Sequence, residues 1–89
     1  MKQLQQTNKF DKDLARMKRR GVEMDPLKQV VLILLQGRLL ETKYRDHALT
    51  GNWKLHRECH LAPDWLLIYK MNADYVRLER TGSHSDLFS

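Results

Sequence analysis

The hydrophobic pattern near the start of the chain predicts one short strand and one amphipathic helix. Lys2–Thr7 is short and mixed, and it is predicted as a strand with Leu4 pointing inward. Asn8 is expected to cap the helix that follows, and Gly21 supplies a stop at its C-terminus. The inward face of this helix is marked by apolar residues at helical spacing, namely Phe10, Leu14 and Met17.

A second helix is predicted from Asp25 to about Gln36. Asp25 followed by Pro26 is a typical helix start, because it combines a capping carboxylate with a proline at the first helical position. Gly37 then ends the helix. Its apolar stripe is broad and consists of Leu27, Val30, Val31, Leu34 and Leu35. The two consecutive helices predict a helical hairpin that packs on a sheet.

The second half of the chain changes to strand patterning. Apolar and polar residues alternate from Trp53 to Leu61, and Trp65–Met71 is a nearly continuous apolar run, as expected near the centre of a sheet. Tyr75–Thr81 is predicted as a third strand. Gly37–Asn52, before these strands, is predicted to be irregular. Because the strands are joined by short turns, they should form an antiparallel meander.

The order of elements is therefore β-α-α-β-β-β. It predicts an α+β fold in which a helical hairpin packs on one face of an antiparallel sheet. A chain of 89 residues is expected to form one domain, over residues 1–89. We expect the core of the second half to include its large aromatic residues and its cysteine, namely Trp53, Trp65, Tyr69 and Cys59.

The charge balance favours an acidic partner. The formal net charge is +5 with a pI near 9.6, which suits binding to nucleic acid or to an acidic protein. The single cysteine excludes an internal disulfide and a thiolate zinc site, in keeping with a reducing cytoplasm. Met1–Phe10 lacks the apolar block of a signal peptide, and Val30–Leu35 is far shorter than the about 20 residues of a membrane span. We expect a soluble, cytoplasmic protein.

Several polar residues match the requirements of RNA cleavage without a metal. That reaction needs a base for the 2′-hydroxyl, an acid for the 5′-oxygen and a cation for the charge on the phosphorane. Histidine suits both proton roles because its unperturbed pKa is about 6.5, and the arginine fork matches phosphate oxygens. The candidates are His47, His60 and His84 for proton transfer, Asp64 for orientation, Arg80 for the phosphate and Phe88 for stacking on a base.

Each candidate also has a purely structural interpretation. A histidine in a small domain is most often a surface or hydrogen-bonded residue. Asp64 would then cap its own turn, as aspartate does after proline. Arg80 would pair with Glu79 or Asp86 on the surface, and Phe88 would close the core.

A zinc site built from the same histidines and Asp64 is the other alternative. Their spacing matches no compact metal motif, neither HExxH nor paired histidines after cysteines. His56 and His60 are four residues apart, which would bring them together on a helix. In a strand, residues at that spacing lie about 13 Å from each other. A metal site is therefore disfavoured, and His56 is assigned a structural role.

Longer motifs carry a resemblance to a known family. The segments DHALTGNWKLHRECHLAPDWLLIYK and ERTGSHSDLF closely resemble the YafQ-type branch of the RelE/ParE toxin superfamily, the toxin halves of bacterial type II toxin–antitoxin pairs. The branch pattern runs D-H-x-L-x-G-x-W, R-E/D-x-H, P-D-W-x-L-I-Y, R-T-G-[ST]-H and a final L-F. It is matched at Asp46–Trp53, Arg57–His60, Pro63–Tyr69 and Arg80–Phe88, so the resemblance covers about the C-terminal half in motif detail.

The resemblance implies a ribosome-dependent mRNA endoribonuclease that is similar in fold to microbial ribonucleases and cuts the message in the ribosomal A site. No cofactor is implied. By similarity, His84 is the leading general acid, Arg80 would steady the scissile phosphate, and Phe88 would hold a base or the C-terminal geometry. The base and orienting roles would be shared by His47, His60 and Asp64.

The resemblance also implies partners. The first is a small acidic antitoxin, DinJ- or RelB-like, with a ribbon-helix-helix part that binds operator DNA, so that the toxin would reach DNA only within that complex. The second is the ribosome, with its RNA and the A-site mRNA. The basic face of the first helix is where we expect contact with either partner.

Two other functions stay open at this level. ParE-type members of the superfamily share the fold but poison gyrase and lack the nuclease residues, and a non-catalytic ribosome binder is related to that alternative. A basic RNA- or DNA-binding module without toxicity is the third. The histidine set argues for the nuclease, and the detection of cut mRNA would separate the three.

Overall fold

The computed structural model describes residues 1–88, which form a five-stranded sheet with two longer helices against it. The elements are β1 (Gln3–Gln6), α1 (Asn8–Arg19), α2 (Asp25–Leu35), β2 (His47–Ala48), β3 (Arg57–Ala62), β4 (Trp65–Met71), β5 (Tyr75–Gly82) and α3 (His84–Phe88). Single 3₁₀ turns at Thr42–Tyr44 and Gly51–Trp53 flank β2. The predicted α+β architecture is confirmed. Ser89, the last residue of the predicted domain, lies outside the described residues.

The sheet has the strand order β1-β5-β4-β3-β2. β3, β4 and β5 form the antiparallel meander that the short turns predicted. β2 extends the sheet antiparallel to β3, and β1 pairs with the opposite edge, parallel to β5. The meander is therefore widened on both sides, and β1 makes the sheet mixed.

Both helix starts differ by one residue from the prediction. The N-cap of α1 is Thr7, not Asn8, because its hydroxyl oxygen accepts a hydrogen bond from the amide of Phe10 at 3.0 Å and donates one to the carbonyl of Glu79 at 2.9 Å. The N-cap of α2 is Met24. Asp25 is already helical and caps no amide through its side chain.

The core lies between the two longer helices and one face of the sheet. Trp65, Tyr69 and Cys59 are buried there as predicted, together with Phe10, Met17, Leu27, Val30 and Leu34 from the helices. Two predictions of burial are wrong. Leu4 is 45% exposed, because it lies on the edge strand and lines a shallow apolar groove against α2. Trp53 is only partly buried and meets the edge of the His56 ring.

The segment before the meander is more ordered than predicted. Gly37–Asn52 contains β2, which forms a hairpin with β3. The predicted strand from Trp53 begins only at Arg57. The backbone of Leu55 has φ +72°, a left-handed conformation that interrupts an extended strand. The short helix α3 was not predicted at all.

None of the helices formed by residues 1–88 combines the length and the apolar character that crossing a bilayer demands.

Candidate active site

The strand register lines up several candidate residues across the sheet. His47 on β2 lies opposite Glu58 on β3, Glu58 lies opposite Ile68 on β4, and Ile68 lies opposite Arg80 on β5. Adjacent residues in such a row are near neighbours, since adjacent strands are about 4.8 Å apart, whereas the two ends of this row are about 14 Å apart. His60 is two residues beyond Glu58 and points to the same side of its strand. The meander thus assembles residues that are far apart in the chain.

Glu58 is the residue that connects His47 and His60. Its Oε1 atom lies 3.5 Å from Nε2 of His47 and 3.7 Å from Nε2 of His60. Only 6% of Glu58 is exposed, and a buried carboxylate requires a charged or hydrogen-bonding partner. Nδ1 of His47 lies 2.7 Å from the carbonyl oxygen of Arg45, which favours the tautomer with its proton on Nδ1. In that tautomer, Nε2 of His47 is the ring nitrogen without a proton, and it lies beside Glu58.

Asp64 holds His84 across the turn between β3 and β4. Its Oδ1 atom accepts hydrogen bonds from the backbone amide of His84 at 2.9 Å and from the ring Nδ1 at 2.8 Å. These bonds, the amide first, lower the pKa of the Asp64 carboxyl group below its usual value. The backbone of Asp64 has φ +54°, which aspartate tolerates in turns. Asp64 is both the turn residue of the structural interpretation and the partner of a histidine.

Two of the three candidate histidines border an open cleft of about 550 Å³. His60 and His84 line it, with ring centroids 5.9 Å apart. His47 is not among the lining residues, and its ring centroid lies 6.3 Å from that of His60. The cleft is also lined by the basic residues Lys43 and Arg45. A basic cleft with histidines on one wall suits a phosphodiester substrate.

Arg80 pairs with Asp13 of α1, and the structural interpretation that joined it to Glu79 or Asp86 is wrong. The Nε atom of Arg80 donates to Asp13 Oδ2 at 2.6 Å, and Nη2 donates to Oδ1 at 3.2 Å. The bond to Asp13 raises the pKa of the Arg80 guanidinium. The side chain is 21% exposed, so it remains within reach of solvent.

The short helix α3 is anchored through Asp86. Asp86 accepts two hydrogen bonds from Arg20, at 2.7 and 3.0 Å, and one from the amide of Ser83 at 2.9 Å. The Ser83 hydroxyl in turn accepts from the amide of Asp86 at 3.1 Å, which completes a capping box. The pairing with Arg20 is the main cause that lowers the pKa of Asp86. This anchor holds His84, the first residue of α3, near Asp64.

Phe88 ends α3 and does not close the core. It is 47% exposed, so the structural interpretation of this residue is wrong. An exposed aromatic ring one helical turn after His84 is available for stacking against a base. The remaining histidine, His56, lies 2.6 Å from Glu79 Oε2 through its Nε2 and is apart from the cleft lining.

Three charged residues of this site were missed by sequence reasoning, although each left a signal. Glu58 alternates with Cys59 in the same strand as His60, so it shares the face of that histidine. Asp13 interrupts the apolar stripe of α1, where a charge needs a partner. Asp86 stands three residues after Ser83, the spacing of a capping box.

Cys59 is fully buried, and burial raises the pKa of its thiol well above the usual value, so it is an inert core residue. Within residues 1–88, no group of three His, Cys, Asp or Glu side chains is arranged to hold a metal ion.

Comparison with known proteins gives relatives over nearly the whole chain. The mRNA interferase toxin YafQ of Escherichia coli K12 is 38% identical over 86 residues, which cover 96% of this chain and 94% of that protein. The toxin in a crystal structure of the E. coli DinJ–YafQ complex superimposes with a TM-score of 0.92 at 36% identity over the full length of both chains. A copper-bound mutant toxin from Helicobacter pylori gives 0.94 at 40% identity, over 99% of this chain and 100% of that one.

The family described as bacterial toxin of type II toxin-antitoxin system, YafQ, matches residues 2–89. The fold, the histidine-lined cleft and the sequence match agree, and the chain belongs to the YafQ family of type II toxins.

Proposed function

We propose that this protein is a ribosome-dependent mRNA endoribonuclease that cuts mRNA in the ribosomal A site and so stops translation, as the toxin of a type II toxin–antitoxin pair. The observation that supports this most is that His47, His60 and His84 each lie within 4 Å of a carboxylate, and that His60 and His84 line one basic cleft. The name of the E. coli relatives, mRNA interferase toxin, supports the same class of reaction.

In the proposed reaction, His84 is the general acid. Its Nδ1 is engaged by Asp64, which leaves Nε2 to donate a proton to the departing 5′-oxygen. Asp64 stabilises the imidazolium form and fixes the direction of the ring. The exposed position of His84 in the cleft lets a substrate reach it.

His47 and His60 share the base and orienting roles. The histidine that accepts the proton of the 2′-hydroxyl becomes positively charged. Glu58 lies within 4 Å of Nε2 on both rings, so its carboxylate stabilises that charge whichever ring accepts the proton. Because it is buried, the carboxylate is also a fixed point against which the rings are oriented.

Arg80 and Phe88 are proposed to bind the substrate. Arg80 stabilises the charge that develops on the phosphorane, since its planar fork matches phosphate oxygens. Phe88 is exposed next to the general acid and stacks on a base of the message. Both residues position the scissile bond relative to the histidines.

The side chains supply an acid, a base and a cation, so the proposed reaction needs no metal. Two Helicobacter pylori relatives are described as copper-bound and metal-bound toxins, and we propose that metal binding of this kind is separate from catalysis. A chelator selective for zinc and copper should leave the cleavage rate unchanged. A loss of activity that either metal restores would contradict the metal-independent mechanism.

The proposed partners follow from the family. A DinJ-like acidic antitoxin with a ribbon-helix-helix part is expected to bind this basic chain, as DinJ is found with YafQ in the E. coli complex, and only that complex would contact operator DNA. Ribosomal RNA and A-site mRNA are the other partners, which places the protein in the cytoplasm. The charge of +5 suits both classes of partner.

The test is primer extension on an mRNA in a purified translation system. Wild type should produce ribosome-dependent cuts at A-site codons. His84→Ala should lower the cleavage rate by about 10²-fold or more, since the general acid is lost, while ribosome binding is kept. His56→Ala is the matched control, because His56 also pairs with a carboxylate but lies apart from the cleft lining, and it should cleave like wild type.

Other outcomes would point to the alternatives. Toxicity in cells without any cut message would indicate a ParE-like gyrase poison, and reduced translation without cuts would indicate a non-catalytic ribosome binder. Full activity of His84→Ala would remove that residue from the acid role.

A further inference from the structure

Asp13 is a buried charge in the middle of α1 that none of the roles above uses. Only 3% of it is exposed, although the helix around it carries many solvent-facing lysines and arginines. A carboxylate is costly to bury unless its oxygens are fully paired. The hydrogen-bond partners of Asp13 therefore indicate its role.

Four donors surround the Asp13 carboxylate. Oδ2 accepts from Arg80 Nε at 2.6 Å and from the backbone amide of Thr81 at 3.2 Å. Oδ1 accepts from Arg80 Nη2 at 3.2 Å and from Arg16 Nη2 at 2.9 Å. Asp13 therefore binds the Nε and Nη2 side of the Arg80 guanidinium. The Nη1 atom points away from the Asp13 carboxylate.

The position of Asp13 is determined by the edge of β5. β1 pairs with β5 only as far as Leu78, and α1 runs beside the part of β5 that follows. There Asp13 accepts a hydrogen bond from the backbone amide of Thr81. A neighbouring strand would otherwise accept the bond from this amide. The hydroxyl of Thr81 is itself held between Trp65 Nε1 and the carbonyl of Leu66, at 2.9 and 2.7 Å. The carboxylate is thus tied to a rigid part of the sheet.

We propose that Asp13 is a positioning residue for cleavage, which holds the fork of Arg80 in the orientation that receives the scissile phosphate. This inference rests on the proposed nuclease function and on the phosphate-binding role of Arg80. A long arginine side chain has many rotamers, and catalysis requires one of them. The bidentate contact with a fixed carboxylate selects that rotamer before the substrate arrives.

The competing explanation is that Asp13 only joins α1 to β5. A double-mutant cycle separates the two roles, because the bond from the Thr81 amide joins α1 to β5 whether or not Arg80 is present. The variants are Asp13→Asn, Arg80→Lys and the double variant, with Asp11→Asn as control. Asp11 is an exposed aspartate of the same helix, and its replacement removes the same charge.

Two quantities are measured for each variant: the single-turnover cleavage rate at saturating ribosomes and the free energy of unfolding in urea. Asp13→Asn should lower the maximal rate by about tenfold or more, while the ribosome concentration at half-maximal rate changes less than about threefold. In the Arg80→Lys background the same substitution should lower the rate less than about threefold, since lysine has no fork to orient. Asp11→Asn should cleave like wild type.

The outcomes are distinguishable. If wild type gives no ribosome-dependent cuts, the proposed function fails and this inference fails with it. If wild type cleaves but Asp13→Asn lowers the rate equally in both backgrounds, or does not lower it, only the inference is overturned. An effect of Arg80→Lys no larger than that of Asp11→Asn would also overturn it. Should Asp13→Asn not fold, Asp13→Glu takes its place in the cycle, because it keeps the charge but moves the carboxylate, and the same pattern is expected.

Discussion

At the scale of single residues, the site is built from histidines whose neighbours are carboxylates. Asp64 pairs with His84 by direct hydrogen bonds, whereas Glu58 lies 3.5 and 3.7 Å from His47 and His60 and interacts with both by charge. Glu58 is almost completely buried, so its charge is weakly screened by solvent. Of the carboxylates near the histidines, Glu58 is the one whose role depends most on its charge.

We expect Glu58→Gln to keep the fold and to lower the single-turnover cleavage rate by about tenfold or more, because the neutral amide no longer stabilises the imidazolium of the base. Glu79→Gln is the matched control. Glu79 also contacts a histidine, His56 at 2.6 Å, but that pair is apart from the cleft lining. Equal rates for the two variants would show that Glu58 is a structural residue.

At the scale of elements, the proposed function depends on a helix that is too short to be stable alone. α3 has five residues, none of which is buried, and isolated helices need about 12 or more residues to form. Its order must come from its contacts: the capping box of Ser83 and Asp86, the bond from His84 to Asp64, and the bidentate pair of Asp86 with Arg20. α1 therefore helps to position His84, the proposed general acid.

We expect Arg20→Gln to loosen α3 without unfolding the protein. Amide hydrogen exchange at Asp86 and Leu87 should become about tenfold faster, and the cleavage rate should fall because His84 and Phe88 are less well placed. The control is Arg19→Gln, which removes an exposed charge at the neighbouring position of the same helix. Unchanged exchange in Arg20→Gln would show that the capping box alone holds α3.

The same pair predicts an effect of acid. Arg20 holds the pKa of Asp86 below its unfolded value, so the pair stabilises the folded state above about pH 4 and this stabilisation is lost as the pH falls further. In Arg20→Gln the pKa is lowered less, and the free energy of unfolding should fall less steeply between pH 5 and about 2.5. An identical slope for wild type and variant would contradict this assignment.

At the scale of the whole molecule, some basic side chains form ion pairs within the protein and others are exposed to solvent. Arg16 of α1, Arg20 at its end and Arg80 of β5 form ion pairs with carboxylates. Lys12 of α1, in contrast, is exposed and enters none of the ion pairs formed by residues 1–88. The expected contact of α1 with a polyanion therefore narrows to its exposed lysines and Arg19.

We expect the His84→Ala variant, which is predicted to lose cleavage, to bind ribosomes more weakly as salt rises, since phosphate contacts release counterions. Adding Lys12→Gln should reduce the slope of log affinity against log salt by about one. Adding Lys28→Gln, which removes one exposed charge from α2, should leave the slope unchanged. Equal slopes in all three proteins would place the ribosome contact away from α1.

Most of the fold, and the residues with chemistry suited to the reaction, could be predicted from the sequence alone. The continuous apolar run of β4 and the helical spacing of Phe10, Leu14 and Met17 are local patterns, and the elements that they predicted are present. The histidines, Asp64 and Arg80 were named because their side-chain chemistry suits the reaction, whatever their position. The roles proposed for these residues came from the resemblance to the family.

The pairing of these residues, in contrast, depends on how the helices and strands pack. Asp13 meets Arg80, and Arg20 meets Asp86, across 67 and 66 positions of the chain. No local pattern encodes a contact at that separation, because it depends on where α1 passes the edge of β5. The same holds for Glu58, whose place between His47 and His60 follows from the register of β2 and β3. Residue types and periodicity are properties of the chain, whereas the partner of a buried charge is a property of the packed fold.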